Sequence, residues 1–148
     1  MIHLRHTMLL DEMLQWYEAI SLQNLDEIER FYSADAWFKD PFNEVNGVVD
    51  IRRIFAHMFE TTQKPRFVMK DRVMQGESAF ITWDFVFELQ GKAYSVHGAS
   101  HLKLNAQGQV CYHRDYWDAA EELFQKLPVI GMPVRWLRRQ FALKKPAI

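Results

Sequence analysis

The strongest constraint on the fold of this chain is a change in its hydrophobic period at Pro65. Before this residue, apolar side chains recur at the spacing of one helical face. After it, they alternate with polar side chains, as in half-buried strands. The clearest alternating stripe consists of Ala79, Ile81, Trp83, Phe85, Phe87 and Leu89. Helices followed by strands, without regular alternation of the two, predict an α+β domain.

Three helices and one short strand are predicted before Pro65. The helices cover residues 10–20, 24–32 and about 49–61. Asn24 is expected to cap the second helix through its side chain, with Glu27 three residues further on. Ala36–Asp40 is predicted to be a strand, which Pro41 ends because proline cannot donate to a β-ladder.

Four strands are predicted after Pro65. Turn sequences at Gln75-Gly76, at Gln90-Gly91 and at residues 105–108 separate four alternating runs, so consecutive strands should pair as an antiparallel meander. A chain of 148 residues that is 49% hydrophobic can bury one core without covalent staples. Aromatic residues make up 14% of it, and these rings must either be buried or line a cavity.

The charge of the chain is divided unevenly. Residues 1–124 carry 12 basic and 19 acidic side chains, a net charge of −7, whereas six basic and no acidic residues follow. An acidic body gives no reason to expect nucleic-acid binding. Residues 134–143 predict an amphipathic helix with Arg135, Arg138 and Arg139 opposite its apolar side. Residues 133–145 could contact an anionic membrane surface, cover a pocket, clasp a second subunit or dock on their own domain.

Several classes of protein are not indicated. Cys111 is a single cysteine, and neither a signal peptide nor a run of roughly 20 apolar residues is present, so a cytoplasmic protein is expected. The sequence contains no Cys-x-x-Cys or His-Glu-x-x-His pattern, and a metal site is not expected. The absence of a phosphate loop or a dinucleotide glycine motif gives no indication of a cofactor either.

Short segments in a characteristic order carry a family resemblance. They are Asn24-Leu-Asp-Glu-Ile, Ala36-Trp-Phe-Lys-Asp-Pro-Phe42, Gly47 at a helix start and Tyr116-Trp117 at a strand end. Over about residues 10–120 the chain resembles the nuclear-transport-factor-2-like superfamily, which includes ketosteroid isomerase and the SnoaL-like polyketide cyclases. The resemblance implies a cone-shaped barrel with three helices on the concave face of a curved antiparallel sheet. It also implies a homodimer through the outer face of the sheet.

The chain is therefore expected to consist of one superfamily domain at residues 1–120, followed by a basic amphipathic extension at residues 121–148. Asp40 stands where ketosteroid isomerase keeps its general base. The oxyanion donors of that enzyme correspond to Trp16 and Ser100, neither of which is a strong acid, and this departure argues against steroid-type isomerisation. Asp115 corresponds to the late-strand carboxylate of SnoaL-like cyclases and limonene epoxide hydrolase.

Strand parity adds an independent reason to single out the last strand. If Trp117 points inward, then Asp115, His113 and Cys111 share its face. Carboxylates that lose hydration in an apolar cavity can act as general bases near neutral pH, and His113 would be the partner of Asp115. The alternatives are that Asp40 only accepts hydrogen bonds in an Asp-Pro turn and that Asp115 only forms an ion pair or bonds the sheet edge.

The predicted pocket is lined by aromatic and small polar side chains. These are Trp16, Tyr17, Phe42, Trp83, Phe85, Ser100 and Trp117. The chain is expected to bind a small apolar or polycyclic molecule, with acid–base chemistry of isomerase, cyclase or epoxide-hydrolase type. The alternatives are a non-catalytic module that binds a ligand, membrane or partner, and a scaffolding domain in which the aromatic side chains are plain core and fill the pocket.

Overall fold

The computed structural model describes residues 1–141, except for the side chains of Ile2, His3 and Arg138. Three helices precede the long strands: α1 at Ile2–Glu18, α2 at Ile28–Phe31 and α3 at Val48–Thr61. A 3₁₀ turn at Leu25–Glu27 leads into α2. The strands are β1 at Tyr32–Lys39, β2 at Glu44–Asn46, β3 at Gln63–Gln75, β4 at Ser78–Leu89, β5 at Lys92–Leu104 and β6 at Val110–Tyr116.

The six strands form one sheet in the order β2-β1-β6-β5-β4-β3. Strands β3 to β6 pair antiparallel in sequence order, which confirms the predicted meander. Strand β1 pairs parallel with β6, so the sheet is mixed rather than wholly antiparallel. Strand β2 pairs antiparallel with β1 and was not predicted, because its three residues are too few to show a period.

The boundary between α2 and β1 differs from the prediction. Helix α2 has only four residues, and β1 begins at Tyr32, four residues before the expected strand start. The side chain of Asn24 does not cap a helix. Its Oδ1 accepts from Ser21 N at 2.8 Å and its Nδ2 donates to Ala19 O at 2.9 Å. Asn24 therefore closes the loop after α1, a role with the same local sequence signature as a cap.

The core lies between the helices and one face of the sheet. Helix α1 contacts β3, and α3 contacts both β1 and β3. The largest fully buried side chains include Leu10 and Met13 of α1, Ile51 of α3, Phe38 of β1 and Leu102 of β5. Register shifts in β3 and between β1 and β6 mark irregularities, which bend strands and increase their twist. The predicted fold class, helices on the concave face of a curved sheet, is confirmed.

A second compact unit begins at Asp118. It contains α4 at Ala119–Glu122, a 3₁₀ turn at Phe124–Lys126 and α5 at Gly131–Phe141. The Asp118 carboxylate caps α4 by accepting from the backbone N–H groups of Ala120 and Glu121. The last part of the predicted membrane-contact segment, residues 142–145, lies outside the described residues. Within residues 1–141, no helix combines the length and the hydropathy needed to cross a membrane.

Candidate functional site

The inward faces of β4, β5 and β6 bring four polar side chains together. Ser100 of β5 pairs directly with Asp115 of β6, and Trp83 of β4 pairs with Gly98, two residues before Ser100. His113 precedes Asp115 by two residues on β6 and so shares its face. Period-2 alternation and antiparallel register therefore place these side chains side by side.

These side chains form an uninterrupted series of hydrogen bonds. Trp83 Nε1 donates to Ser100 Oγ at 2.9 Å, and Ser100 Oγ donates to Asp115 Oδ1 at 2.5 Å. His113 Nε2 lies 2.6 Å from the same carboxylate oxygen. Both contacts fall on Oδ1, and within residues 1–141 Oδ2 of Asp115 has no hydrogen-bond partner. One carboxylate oxygen is thus held in place while the other can meet a ligand.

The series continues from the sheet to the helices. The hydroxyl of Tyr32, at the start of β1, lies 2.6 Å from His113 Nδ1. The same hydroxyl is hydrogen-bonded to the hydroxyl of Tyr17, which α1 supplies. We call the whole series the polar chain; it consists of Tyr17, Tyr32, His113, Asp115, Ser100 and Trp83.

Burial and ring packing hold the middle of the polar chain rigidly. The His113 side chain is 5% exposed, against 16% for Asp115, so the carboxylate is the more accessible member of the pair. The imidazole ring lies 4.7 Å from the ring of Phe38 and stacks on Tyr32 with a centroid separation of 5.9 Å. Locked rings of this kind keep donors and acceptors aligned, which a catalytic or binding arrangement requires.

Burial also sets the protonation of the two tyrosines. Loss of hydration raises the pKa of Tyr17 well above its ordinary value, and interactions with Tyr32 and Asp115 raise it further. Burial likewise raises the pKa of Tyr32, an effect that the hydrogen bond from Tyr17 only partly offsets. Both side chains are therefore neutral hydroxyls near neutral pH, able to donate and to accept.

A pocket opens beside the polar chain. Its empty volume, including the open space at its mouth, is about 370 Å³. Its polar lining consists of Tyr17, Trp83, Ser100, His113 and Asp115, which are five of the six members of the polar chain. The apolar lining consists of Met13, Leu14, Phe55, Phe67, Met69, Ile81 and Leu102.

The structure gathers five of the predicted site residues in this pocket, namely Tyr17, Trp83, Ser100, His113 and Asp115. Trp16 is not among the lining residues. Its Nε1 donates to the carbonyl oxygen of Asn24 at 2.9 Å, which ties α1 to the following loop. The helix turns by about 100° per residue, so Tyr17, and not Trp16, presents its side chain to the pocket.

Asp40 also lies outside the pocket lining. Its Oδ1 accepts from the backbone N–H groups of Phe42 at 2.7 Å and Asn43 at 2.6 Å. The side-chain amide of Asn43 contacts both carboxylate oxygens at 3.1 Å. Asp40 and Asp115, the two predicted carboxylate bases, therefore do not share the lining of this pocket. Asp40 organises an Asp-Pro turn, because backbone amides two and three residues away satisfy its carboxylate.

Three predicted aromatic lining residues lie elsewhere. Phe42 and Trp117 contact each other edge to face at 5.5 Å, beyond the ends of β1 and β6. Phe85 stacks on Phe67 at 4.7 Å and on Phe87 at 5.0 Å. For Phe85 and Trp117 the inward position was expected from strand alternation, which continues beyond the part of the sheet that lines the pocket.

Two further differences concern residues next to the site. Tyr32 was assigned to a helix face, and its contact with His113 depends on a tertiary pairing that sequence spacing does not reveal. Cys111 was expected on the inward face, but the pairing of β5 with β6 shifts there, and its thiol donates to the carbonyl oxygen of Lys103 at 3.3 Å. Within residues 1–141, no three His, Cys, Asp or Glu side chains cluster as a metal site.

Comparison with known proteins supports the fold described above. The sequence profile of the SnoaL-like domain matches residues 13–113, which include most of the polar chain. The chain belongs to the SnoaL-like domain family. The match ends at His113, so Asp115 lies just beyond the matched segment of the SnoaL-like domain. No curated protein matches the chain.

Solved structures share the fold of this SnoaL-like chain at low sequence identity. An NTF2-like protein of unknown function from Burkholderia pseudomallei K96243 is 12% identical, with a TM-score of 0.69 and coverage of 79% of this chain and 93% of that one. A protein assigned as a SnoaL-like polyketide cyclase from Jannaschia sp. CCS1 is 15% identical, with a TM-score of 0.69 and coverage of 86% and 94%. An LEH-like epoxide hydrolase from M. tuberculosis is 11% identical, with a TM-score of 0.67 and coverage of 90% and 96%.

Proposed function

We propose that this protein binds a small, largely apolar molecule in the pocket and carries out acid–base chemistry on it with Asp115 and His113. The observation that carries the proposal is the 2.6 Å contact between His113 Nε2 and Asp115 Oδ1 in the wall of a pocket whose other lining residues are mostly apolar. A buried histidine and carboxylate in contact can take up and return a proton, which a purely structural core does not need.

The apolar lining supports a ligand with few polar groups. Side chains such as Phe55, Phe67 and Leu102 offer contact area and no hydrogen bonds, so binding would come from burial of apolar surface. The polar groups of the lining belong to the polar chain, and they would orient the ligand. A flat or polycyclic molecule with one or two oxygen atoms would match this arrangement of apolar and polar lining residues.

Asp115 is the better placed of the pair to act as the base. Ser100 and His113 both hold its Oδ1, whereas Oδ2 has no partner within residues 1–141. Proton abstraction from a carbon next to a carbonyl group, or activation of a water molecule, would give isomerase, cyclase or epoxide-hydrolase chemistry. Structural neighbours described as a SnoaL-like polyketide cyclase and as an epoxide hydrolase add support from analogy of fold.

Turnover of a panel of small epoxides and polycyclic ketones tests this proposal. Asp115→Asn removes the base and keeps the shape, so turnover should fall on the order of a hundredfold or more. Asp71→Asn is the matched control, because it makes the same change at an exposed position of β3. Full turnover by Asp115→Asn, or an equal loss in Asp71→Asn, would show that Asp115 is not the base.

A second candidate function is attachment to an anionic membrane surface through the tail. Helix α5 exposes Trp136, Leu137 and Phe141, and its sequence also carries Arg135 and Arg139. Exposed aromatic side chains together with arginines are typical of helices that lie in the headgroup region. The homodimer through the outer face of the sheet and the cytoplasmic location both stay predictions.

A further inference from the structure

The pocket combines one carboxylate with several aromatic rings. Among the described residues that line it, Asp115 is the one acidic side chain, and none is lysine or arginine. The rings are those of Tyr17, Phe55, Phe67 and Trp83. A carboxylate that loses hydration without a positive partner is energetically costly. A positive group inside the pocket would therefore be stabilised there.

The basic residues that adjoin the lining in sequence belong to the other face of the sheet. Lys70, Lys103 and Arg114 each directly follow a lining residue on β3, β5 or β6, and alternation turns them outward. Lys70 Nζ lies 3.3 Å from Asp84 Oδ2. Lys103 Nζ lies 4.9 Å from the centroid of the Tyr112 ring. These positive charges therefore interact with groups of the outer face and not with the pocket.

The four aromatic rings of the lining are steeply inclined to one another. The centroid of Phe67 lies 5.7 Å from that of Tyr17 and 6.5 Å from that of Phe55, with interplanar angles of 74° and 71°. Trp83 lies 6.0 Å from Phe67 at 85°. Rings inclined in this way border the pocket from several directions, unlike a single flat wall. Because the face of an aromatic ring is negative, a cation binds over it within about 6 Å of the centroid.

The hydrogen bonds of the polar chain are satisfied with a single negative charge. A neutral imidazole at His113 accepts from Tyr32 at Nδ1 and donates to Asp115 at Nε2. Ser100 donates to the same carboxylate oxygen. In that state every member of the polar chain is neutral except Asp115. Its charge acts on other groups of the site, since interaction with Asp115 is one of the causes that raise the pKa of Tyr17 and of Tyr32.

We propose that the pocket binds a small molecule that carries an alkylammonium group, with the nitrogen beside Oδ2 of Asp115 and its alkyl groups against the aromatic rings. This inference rests on the proposed function only in using the same pocket, and it names the class of ligand. An alkylammonium group matches both features, because it presents a positive charge on an apolar surface. A quaternary nitrogen has no N–H group, so the lone pairs of Oδ2 can still accept a proton from a neighbouring carbon atom.

Choline and 3,3-dimethylbutan-1-ol are matched probes for this inference. The two molecules have the same shape, and only choline has the positive nitrogen. Titration of the full-length protein, followed by nuclear magnetic resonance of the methyl protons of each probe, measures both affinities. Choline should bind at least about tenfold more tightly than the neutral probe, because only choline is attracted by the carboxylate. Its methyl signal should move upfield, because the face of a ring shields the protons above it.

Two substitutions separate the role of the charge from that of the rings. Asp115→Asn keeps the shape and removes the charge, so it should abolish the preference for choline over the neutral probe. Phe67→Leu removes one ring and stays apolar, so it should weaken choline binding by about two- to thirtyfold and reduce the upfield shift. Asp71→Asn is the matched control, because it removes an exposed carboxylate of β3, and its choline affinity should equal that of the wild type. If a variant does not fold, the comparison of the two probes on the wild type still decides the question.

Glycerophosphocholine distinguishes two sources of the same chemical group. It presents the ammonium group next to a phosphate, as the headgroup of a lipid does. Binding weaker than that of choline would assign a free amine, because the carboxylate of Asp115 repels the phosphate. Binding tighter than that of choline would assign a lipid headgroup as the source of the ammonium group.

Two results would overturn the inference. One is that choline binds no more tightly than 3,3-dimethylbutan-1-ol, and the other is a choline affinity that Asp115→Asn leaves unchanged. Neither result bears on the turnover of epoxides and ketones, so the proposed function could stand without an ammonium ligand. Conversely, charge-dependent binding of choline together with full turnover by Asp115→Asn would remove the proposed function and leave the class of ligand in place.

Discussion

Trp83 of β4 lies against the backbone of Gly98, its partner on β5. A Cβ atom built on residue 98 would come within 2.5 Å of the nearest indole carbon and within 3.0 Å of two others. The missing side chain of Gly98 is therefore what lets the indole ring lie flat on the sheet and direct Nε1 to Ser100.

Gly98→Ala should displace the indole ring and lower both stability and turnover. Overpacking of this kind costs about 1–3 kcal/mol, which urea unfolding can measure. Trp83→Phe provides the internal control, because a smaller ring leaves space for the new methyl group. The double variant should lose less stability than the two single variants together. Additive losses would show that residue 98 does not position Trp83.

Asp40→Ala should destabilise the protein without affecting the pocket. The carboxylate accepts from the backbone amides of Phe42 and Asn43. Loss of comparable side-chain bonds to backbone amides at a helix N-cap costs about 0.5–2 kcal/mol. Turnover of a pocket substrate should stay at the wild-type value, the opposite of the result expected for Asp115→Asn. A large loss of turnover at unchanged stability would restore Asp40 as a catalytic residue.

The buried tyrosines should make the protein less stable in alkali. Because the folded pKa of Tyr17 and Tyr32 is raised, the folded state keeps their protons above about pH 10, where the unfolded state loses them. Stability from these groups is thus complete below about pH 10 and falls as the pH rises, by up to ~1.4 kcal/mol per pH unit for each tyrosine.

Chemical unfolding of wild type and Tyr17→Phe at increasing pH measures the direction and the size of this loss of stability. The free energy of unfolding of Tyr17→Phe should fall less steeply above about pH 10, because one hydroxyl with a raised pKa has been removed. Lysine ionisation affects both proteins alike and cancels in the difference. Parallel curves would mean that Tyr17 is not held as a neutral hydroxyl in the folded state.

Vesicle binding should depend on the basic tail. Co-sedimentation with anionic vesicles should fall with added salt and disappear when residues 128–148 are deleted. The double variant Arg135→Glu and Arg139→Glu is a finer test, since each basic residue near such a surface contributes about 1 kcal/mol. Vesicles of neutral lipid are the control. No binding to anionic vesicles at low salt would remove the membrane function.

The contribution of local pattern is clear on the late strands. Period-2 alternation predicted that His113 and Asp115 share one face of the last strand. It also predicted Trp83 and Ser100 as lining residues, and all four lie in the pocket lining. The pattern worked because alternation is a property of the strand itself, and the neighbouring strands followed in sequence order through short turns. The same reasoning failed at Cys111, where the pairing of β5 with β6 shifts by one residue.

Other residues could not be placed from spacing. Asp40 stood at an Asp-Pro step that is compatible with a base or with a turn, and only the positions of Phe42 and Asn43 decide between them. Trp16 and Tyr17 were both predicted to line the pocket. Only Tyr17 lies in the pocket lining, because the angle at which the helix lies on the sheet decides which of two neighbouring side chains faces the pocket.

The sequence by itself determined the α+β class, the four-strand meander and the inward carboxylate, because hydrophobic period and turn chemistry are local properties. Only the tertiary structure decided that Tyr17 and Tyr32 join His113 in one polar chain. Tyr32 and His113 are 81 positions apart and meet because β1 pairs parallel with β6, and the hydroxyl of Tyr17 adds α1 to the contact. Local patterns carry no information on pairings across such distances.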